Sequence, residues 1–413
     1  MEIPEELKRL QKNLEKVLRG QKMLGKSELN NLKKKFVEYF GDGGRVFFAP
    51  SRINIIGEHI DYNGGKVLPA AIDIGTYAIA KPNSINKLRL KSLNMEYEDE
   101  IELSDLEYDE NRNWINYVVG MFKFIKEAGY EIGGCDILIY GNIPNGAGLS
   151  SSASLEILIA KIVSVFFNKD KIPNIEMAKL GKQVENEYIG VNSGIMDQFA
   201  ITMGKDNKAI YLDTNTLDYE YIDMDLKDYS FVILNTNKRR ELKDSKYNIR
   251  RKECEEGLEI LKKYEDINNL CDFLPDQRFY KALDKIKDEN IKNRVLHVVT
   301  ENQRVKLMIM AMENNDLIQM GRLLDSSHKS LKEKYEVTGF ELDSIVEAAR
   351  ENENTLGARM TGAGFGGCAI ALIKTSGFED FKSEVSKKYF ERTDIECEIF
   401  LSKIDDGPRE VVL

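Results

Sequence analysis

The chain has 413 residues, with 59 basic against 69 acidic side chains and a formal net charge of -10, so it is long for one core and has no basic excess to recruit nucleic acid or anionic lipid. No apolar run approaches a membrane span, and the first residues are charged where a signal peptide is apolar, which predicts a cytoplasmic protein with no membrane partner. The five cysteines, Cys135, Cys254, Cys271, Cys368 and Cys397, form no Cys-x-x-Cys and match no histidine spacing, which argues against disulfides and a structural zinc.

Residues 6–19 read as a charged, helix-like segment, and residues 20–27, Gly-Gln-Lys-Met-Leu-Gly-Lys-Ser, satisfy the Walker A pattern letter for letter. A P-loop follows a buried strand, which is missing here, so the stretch is read as a turn between two N-terminal helices, with Ser27 capping the second over 26–40. Residues 45–103 read as mostly strands and turns. Near their start an apolar strand runs into Arg52, Glu58, His59 and Asp61, a cluster suited to a hydroxyl-rich ligand that must be held by several hydrogen bonds at once. Taken singly, Arg52 also fits a surface ion pair, His59 a structural role, and Asp61 a turn residue ahead of the Asn63-Gly64-Gly65 hairpin turn.

A helix over 113–128 carries Trp114, the only tryptophan, beside Tyr117 and Val118, where core packing competes with ligand contact. A strand over 134–140 then leads into Gly141–Glu156. Leu155, Leu158, Ile159, Ile162, Val163 and Phe166 recur at helical spacing, so Ser150–Ser152 fall in the first turn of a helix over 150–167. Unpaired backbone N–H groups and the positive end of the helix dipole face whatever lies above, and Gly146 and Gly148 let the backbone approach it, as in a phosphate cradle. A glycine turn with serine capping is the alternative.

The next helix, over 175–188, sets Glu185 among Lys182, Asn186 and Glu187, where a solvated face competes with function. Asp197 lies in an apolar stretch, Ile195, Met196, Phe199 and Ala200, and such a carboxylate needs a partner or a task, an N-cap being the plainer reading. A short strand over 208–213 and a turn over 213–217 close a first unit near residue 215. The second unit has a strand over 230–235, helices near 245–263, 290–313, 315–333 and 340–353, and strands over 369–374 and 395–401 on either side of a last helix. Between residues 358 and 372, Gly362, Gly364 and Gly367 spell Gly-x-Gly-x-x-Gly, but a helix precedes and a strand follows, the reverse of a dinucleotide-binding turn. The stretch is therefore read as a glycine loop of another kind, whose backbone approaches a ligand.

Five stretches, in order, resemble the galactokinases of the GHMP kinase superfamily: Arg52–Asn63, Gly148–Ser154, Gly194–Phe199, Tyr247–Cys254 and Met360–Gly367. The resemblance runs from about Gly44 to Leu401. It implies an α+β, two-domain GHMP kinase fold, with a ribosomal protein S5 domain 2-like unit over 1–215 (1–22 a helical extension), a ferredoxin-like unit over 216–413, and an active site in the cleft between them. It implies ATP-dependent phosphorylation of the 1-hydroxyl of D-galactose. N-acetylgalactosamine or another sugar is the runner-up acceptor, and a non-catalytic sensor is disfavoured by the intact serine loop, Arg52 and Asp197. By the same resemblance Asp197 is the base, paired with Arg52, and with an arginine neutralising it positioning is expected to contribute more than proton abstraction. Glu58, His59, Asp61, Gly194 and Tyr247 would hold the sugar. Gly146, Gly148, Leu149, Ser150, Ser151, Ser152 and Trp114 would hold the nucleotide, and Ser152 and Glu185 the Mg2+ that accompanies ATP. No protein partner is evident. Two positions depart from the family pattern: Ser51 stands where glycine is usual, which matters if the backbone there has positive φ, and Ile60 stands where threonine is usual and is expected to shape or fill the sugar pocket.

Overall fold

A computed structural model describes residues 24–95, 97–144, 147–191, 193–238 and 243–412. The helical extension, the first half of the Walker-like stretch and Gly146 lie outside the described residues. Among the described residues no helix is long and apolar enough to cross a membrane.

The strand Arg45–Asn54 is buried along nearly its whole length because both of its faces are covered. Phe47 and Ala49 face a core built with the helices Ile115–Glu127 and Ser151–Phe167, whereas Val46 and Phe48 face Leu29, Leu32 and Phe36 of the helix Lys26–Phe40. Six strands form this sheet in the order Arg409–Val411, Arg45–Asn54, Pro69–Pro82, Cys135–Gly141, Lys87–Ser92 and Asp99–Glu102. The pairing of Arg45–Asn54 with Pro69–Pro82 shifts register between Pro50 and Ser51. Opposite the shift, a Cβ on Gly75 would lie 2.0 Å from the Ala49 carbonyl oxygen, so only glycine lets the strands close there. Beyond the shift the strand carries Arg52 out of the core to the site.

A second, four-stranded antiparallel sheet runs Thr355–Thr361, Cys368–Lys374, Tyr229–Asn235 and Glu398–Leu401, covered by the helices Leu317–Ser330, Phe340–Arg350 and Phe378–Thr393. A small third sheet pairs Lys66–Val67, Lys208–Asp213 and Tyr219–Asp223.

Several expectations change. The glycine loop is preceded by the strand Thr355–Thr361, so it joins two antiparallel strands as a hairpin connection. Gly357 and Arg359 hid that strand. A Cβ on Gly357 would lie 2.1 Å from the Gly321 carbonyl oxygen, which shows how closely the helix crosses, and Arg359 is buried for a polar reason given below. Residue 215 lies in the turn of a paired hairpin, and Arg409–Val411 returns to the first sheet, so pairing crosses the boundary placed there. Ser27 is the second residue of its helix; Gly25 is the N-cap, and its N–H donates to Glu28 Oε2 at 2.6 Å. The helix expected over 175–188 ends at Gln183 and continues as a π-turn, Val184–Ile189, and a second π-turn, Leu331–Tyr335, follows the helix Leu317–Ser330.

Candidate active site

A cavity of about 330 Å³ opens where the end of the first strand, the serine loop, the helix Met196–Thr202 and the glycine hairpin converge. Its centre is an ion pair. Arg52, 3% exposed, donates from Nε to Asp197 Oδ1 at 2.8 Å and from Nη2 to Oδ2 at 2.7 Å, while Nη1 donates to the Gly148 carbonyl at 3.1 Å. Asp197 is the second residue of its helix and accepts this two-pronged bond, together with one from the Ser150 hydroxyl, so it is not serving as an N-cap. Arg52 therefore joins the carboxylate to the serine loop.

That loop is built as the sequence suggested. Gly148 (φ 71) and Ser150 (φ 57) are both left-handed, and the helix opens at Ser151. Gly148, Leu149, Ser150, Ser151 and Ser152 all line the cavity. Ser51 is not among the positive-φ residues, so a side chain is accommodated there, and its hydroxyl donates to the Leu149 carbonyl, tying strand to loop. The glycine hairpin packs against the same loop, where a Cβ on Gly362 would lie 2.9 Å from the Gly148 carbonyl oxygen.

Ser152 donates to Glu185 Oε1 at 2.8 Å, and the Ser193 hydroxyl donates to Oε2. This puts a hydroxyl and a carboxylate side by side at the head of the loop. The described residues hold no group of three or more His, Cys, Asp or Glu that would cage a metal alone. An oxygen pair of this kind fits Mg2+ that takes its other ligands from phosphates and water.

The sugar-side residues also meet here. Glu58, His59, Asp61, Gly194 and Tyr247 line the cavity, joined by Tyr117, which the sequence reading named only as a neighbour of Trp114, and by Tyr62 and Ser193, to which it gave no role. Glu58 has a second commitment. Its Oε1 accepts from the Gly362 N–H at 2.7 Å and the Thr361 hydroxyl at 3.2 Å, and it lies 3.1 Å from Arg359 Nη2, an ion-pair distance without hydrogen-bond alignment. Burial pushes the Glu58 carboxyl up, opposed by Arg359, Arg52 and the Gly362 amide. His59 takes φ 62 and bonds Tyr62 through Nδ1 at 2.8 Å. Asp61 is pushed up to about 6, first by desolvation and then by the negative neighbours Asp197 and Glu58. Ile60 is fully buried and packs against Gly65 in the core, away from the cavity. Trp114 also packs in the core at 4% exposure, while Tyr117, on the helix that begins beside it, reaches the cavity.

Gly194 sits against Asp61 so closely that a Cβ there would lie 1.9 Å from Oδ2. Gly194→Ala is therefore expected to displace the Asp61 carboxylate and raise the KM for sugar tenfold or more, on the order of one lost charge-assisted hydrogen bond, with the KM for ATP within about twofold. Steady-state kinetics check this, and an unchanged sugar KM would contradict it.

The model of the galactokinase galactose-binding signature matches residues 34–82, that of the GHMP kinases N terminal domain residues 116–205, and that of the GHMP kinases C terminal residues 308–391. A galactokinase of Clostridium perfringens is 50% identical over 388 residues, covering 93% of this chain and 100% of that one. A galactokinase of Streptococcus thermophilus is 51% identical over 386 residues, covering 92% and 98%. Among solved structures, Lactococcus lactis galactokinase complexed with galactose matches with a TM-score of 0.89 at 45% identity, covering 93% of this chain and 100% of that one. Methanococcus jannaschii mevalonate kinase shares the fold, with a TM-score of 0.65 at 22% identity, over 88% of this chain and 99% of that one. With about half of its residues shared across nearly the whole length of such relatives, the chain belongs to the galactokinase family of GHMP kinases.

Proposed function

We propose that the chain transfers the γ-phosphoryl group of ATP to the 1-hydroxyl of D-galactose, giving galactose 1-phosphate and ADP. The observation that carries this reading is the Arg52 guanidinium, which bonds Asp197 on one side and the Gly148 carbonyl on the other. It stands where the sugar-side carboxylates meet the serine loop. Phosphoryl transfer needs an acceptor held in line, a group to orient or take its proton, and positive charge near the transferring oxygens.

In this reading Asp197 orients the 1-hydroxyl and receives its proton, and Arg52 offsets charge as it develops. Glu58, His59, Asp61, Gly194 and Tyr247 hold the remaining hydroxyls. Gly148, Leu149, Ser150, Ser151 and Ser152 present backbone N–H groups and hydroxyls to the phosphates, and Gly146 and Tyr117 complete the nucleotide side, with Trp114 packed in the core rather than against the ligand. Ser152 and Glu185 would hold Mg2+, which when bound neutralises phosphate charge. The division into an N-terminal unit with the sugar signature and serine loop and a C-terminal unit with the glycine loop belongs to the same proposal, as does a cytoplasmic enzyme acting without a protein partner.

The test is ADP release with Mg-ATP and galactose, N-acetylgalactosamine or glucose. Buried groups aimed at hydroxyls reject a sugar that leaves them unpaired, so galactose is expected to give the highest kcat/KM and glucose very little. A higher value for N-acetylgalactosamine overturns the acceptor, and no turnover on any of the three overturns the enzyme.

The position of Asp61 adds a pH signature. Its carboxyl titrates at about 6 in the ligand-free protein, and its expected role is to accept a hydrogen bond from a hydroxyl in the ionised form. Sugar binding then favours loss of the proton, so affinity is flat above pH 6 and falls as pH drops through it, by up to about tenfold per pH unit. Galactose titrations from pH 5 to 8 should show this slope in the wild type and lose it in Asp61→Asn.

A further inference from the structure

Behind the sugar-side wall lies a chain of hydrogen bonds that no step above uses. His59 Nδ1 lies 2.8 Å from the Tyr62 hydroxyl, which lies 2.9 Å from the Tyr335 hydroxyl, which lies 3.1 Å from Cys254 Sγ. Tyr335 is fully buried, Cys254 is 1% exposed and His59 4% exposed. The ring centroids of His59 and Tyr335 lie 4.8 Å apart, with the rings tilted by 35°. The chain starts beside the cavity and ends on the helix Lys243–Leu261, with Tyr335 closing a π-turn between them. His59 Nε2 is itself buried and has no aligned hydrogen-bond partner, with the Ala363 backbone beside the ring.

We propose that Cys254, Tyr335 and Tyr62 form a directed relay that fixes the tautomer of His59, so that Nδ1 only accepts and the proton stays on Nε2. The effect on sugar binding rests on the galactose reading; the relay does not.

The direction follows from what each group does well. A neutral imidazole has one donor nitrogen and one acceptor nitrogen. A phenol donates to an imidazole nitrogen more strongly than its oxygen accepts from an imidazole N–H, so the Tyr62 hydroxyl donates to Nδ1. The Tyr62 oxygen then accepts from the Tyr335 hydroxyl, whose oxygen accepts from the Cys254 thiol. Each phenol then gives one proton and receives one bond, with the Cys254 thiol as the terminal donor. Burial keeps both ends neutral as the relay requires, pushing the Cys254 thiol up to about 12 and the His59 imidazole down to about 3. Bonds aligned in one direction reinforce one another. Tyr335 and Cys254 are thus positioning residues for His59.

The chain has three histidines, and the other two provide references. His297 Nε2 faces the Glu58 carbonyl at 3.1 Å and must donate, while His328 Nδ1 accepts from the Met360 N–H at 3.2 Å, so both carry the proton on Nε2. Long-range 1H–15N correlation on the ligand-free protein with 15N-labelled histidine, His59 being assigned by His59→Gln, reads the third. The expected result is protonated Nε2 and bare Nδ1 for His59, with Tyr62→Phe moving it toward a mixture of tautomers. Tyr335→Phe should shift the same nitrogens less and raise the KM for galactose several-fold, with kcat changed much less. A protonated Nδ1 in the wild type, or His59 signals unmoved in both variants, would overturn the relay. Expected tautomers that galactose leaves unperturbed would support the relay and overturn the contact of His59 with the sugar.

Discussion

Arg52→Ala and Asp197→Asn are each expected to lower kcat a hundredfold or more while galactose still binds. The two groups form one unit: the guanidinium is 3% exposed, makes two bonds to the carboxylate and a third to the Gly148 carbonyl, and among the described residues no other Arg or Lys lines the cavity. Electrostatic and acid–base contributions of this kind are each worth on the order of a hundredfold or more. Because they act together, the double variant should lose little more than either single one. Arg52→Lys should also fail, since an ammonium cannot make the paired bonds to Asp197 and still reach Gly148. ADP release gives kcat, and calorimetric titration with galactose shows that the site is still formed. Near wild-type kcat in both single variants would remove the pair from the mechanism.

The second large effect is on stability. Glu58 and Arg359 have side-chain exposures of 3% and 0% and draw the sugar-signature loop and the glycine hairpin together. Arg359 Nη1 donates to the carbonyls of Asn54 and Ile55 at 3.3 and 2.9 Å, and Glu58 accepts from the Gly362 N–H. Glu58→Ala leaves a guanidinium buried without its counter-charge, and Arg359→Ala does the same to a carboxylate, each costing roughly 3–5 kcal/mol. The double variant Glu58→Gln with Arg359→Met removes both charges and should recover part of the loss that Glu58→Gln and Arg359→Met each cause alone, a coupling that a double-mutant cycle on these two substitutions in urea reads directly. Single variants that lose less than about 1 kcal/mol would show that the pair adds little to stability.

What could be read from the sequence was whatever the chain keeps contiguous. Arg52, Glu58, His59 and Asp61 fall within ten residues, and the serine loop has its glycine, its serines and the apolar period of its helix in a single run, so local pattern found both. Arg359, Tyr335 and Cys254 reach the site from far along the chain; Arg359 and Cys254 fall within stretches that drew attention for other residues, and nothing near Tyr335 marks its approach. Arg359 in particular broke the apolar alternation that would have revealed its strand, because its burial is offset by Glu58, far earlier in the chain. The two π-turns were read as plain helix, since widening a turn by one residue leaves the apolar period almost unchanged. Tyr219–Asp223 and Arg409–Val411 are five and three residues long, too short for periodicity to separate them from loop.

The pairing of Arg409–Val411 with Arg45–Asn54 sets an order of events during synthesis. Arg45 and Glu410 are 365 positions apart and form an ion pair across that edge. While the ribosome is still making the second sheet, the first has every other strand available, but one side of Arg45–Asn54 lacks its partner and presents free backbone donors and acceptors to the surroundings. The nascent chain thus carries a sticky edge through most of its translation, and the N-terminal unit is finished only after nearly all the rest has emerged. Release of a truncated product just short of Arg409 would leave the serine loop, Arg52 and Asp197 in the polypeptide and yet yield a protein prone to pair edge to edge.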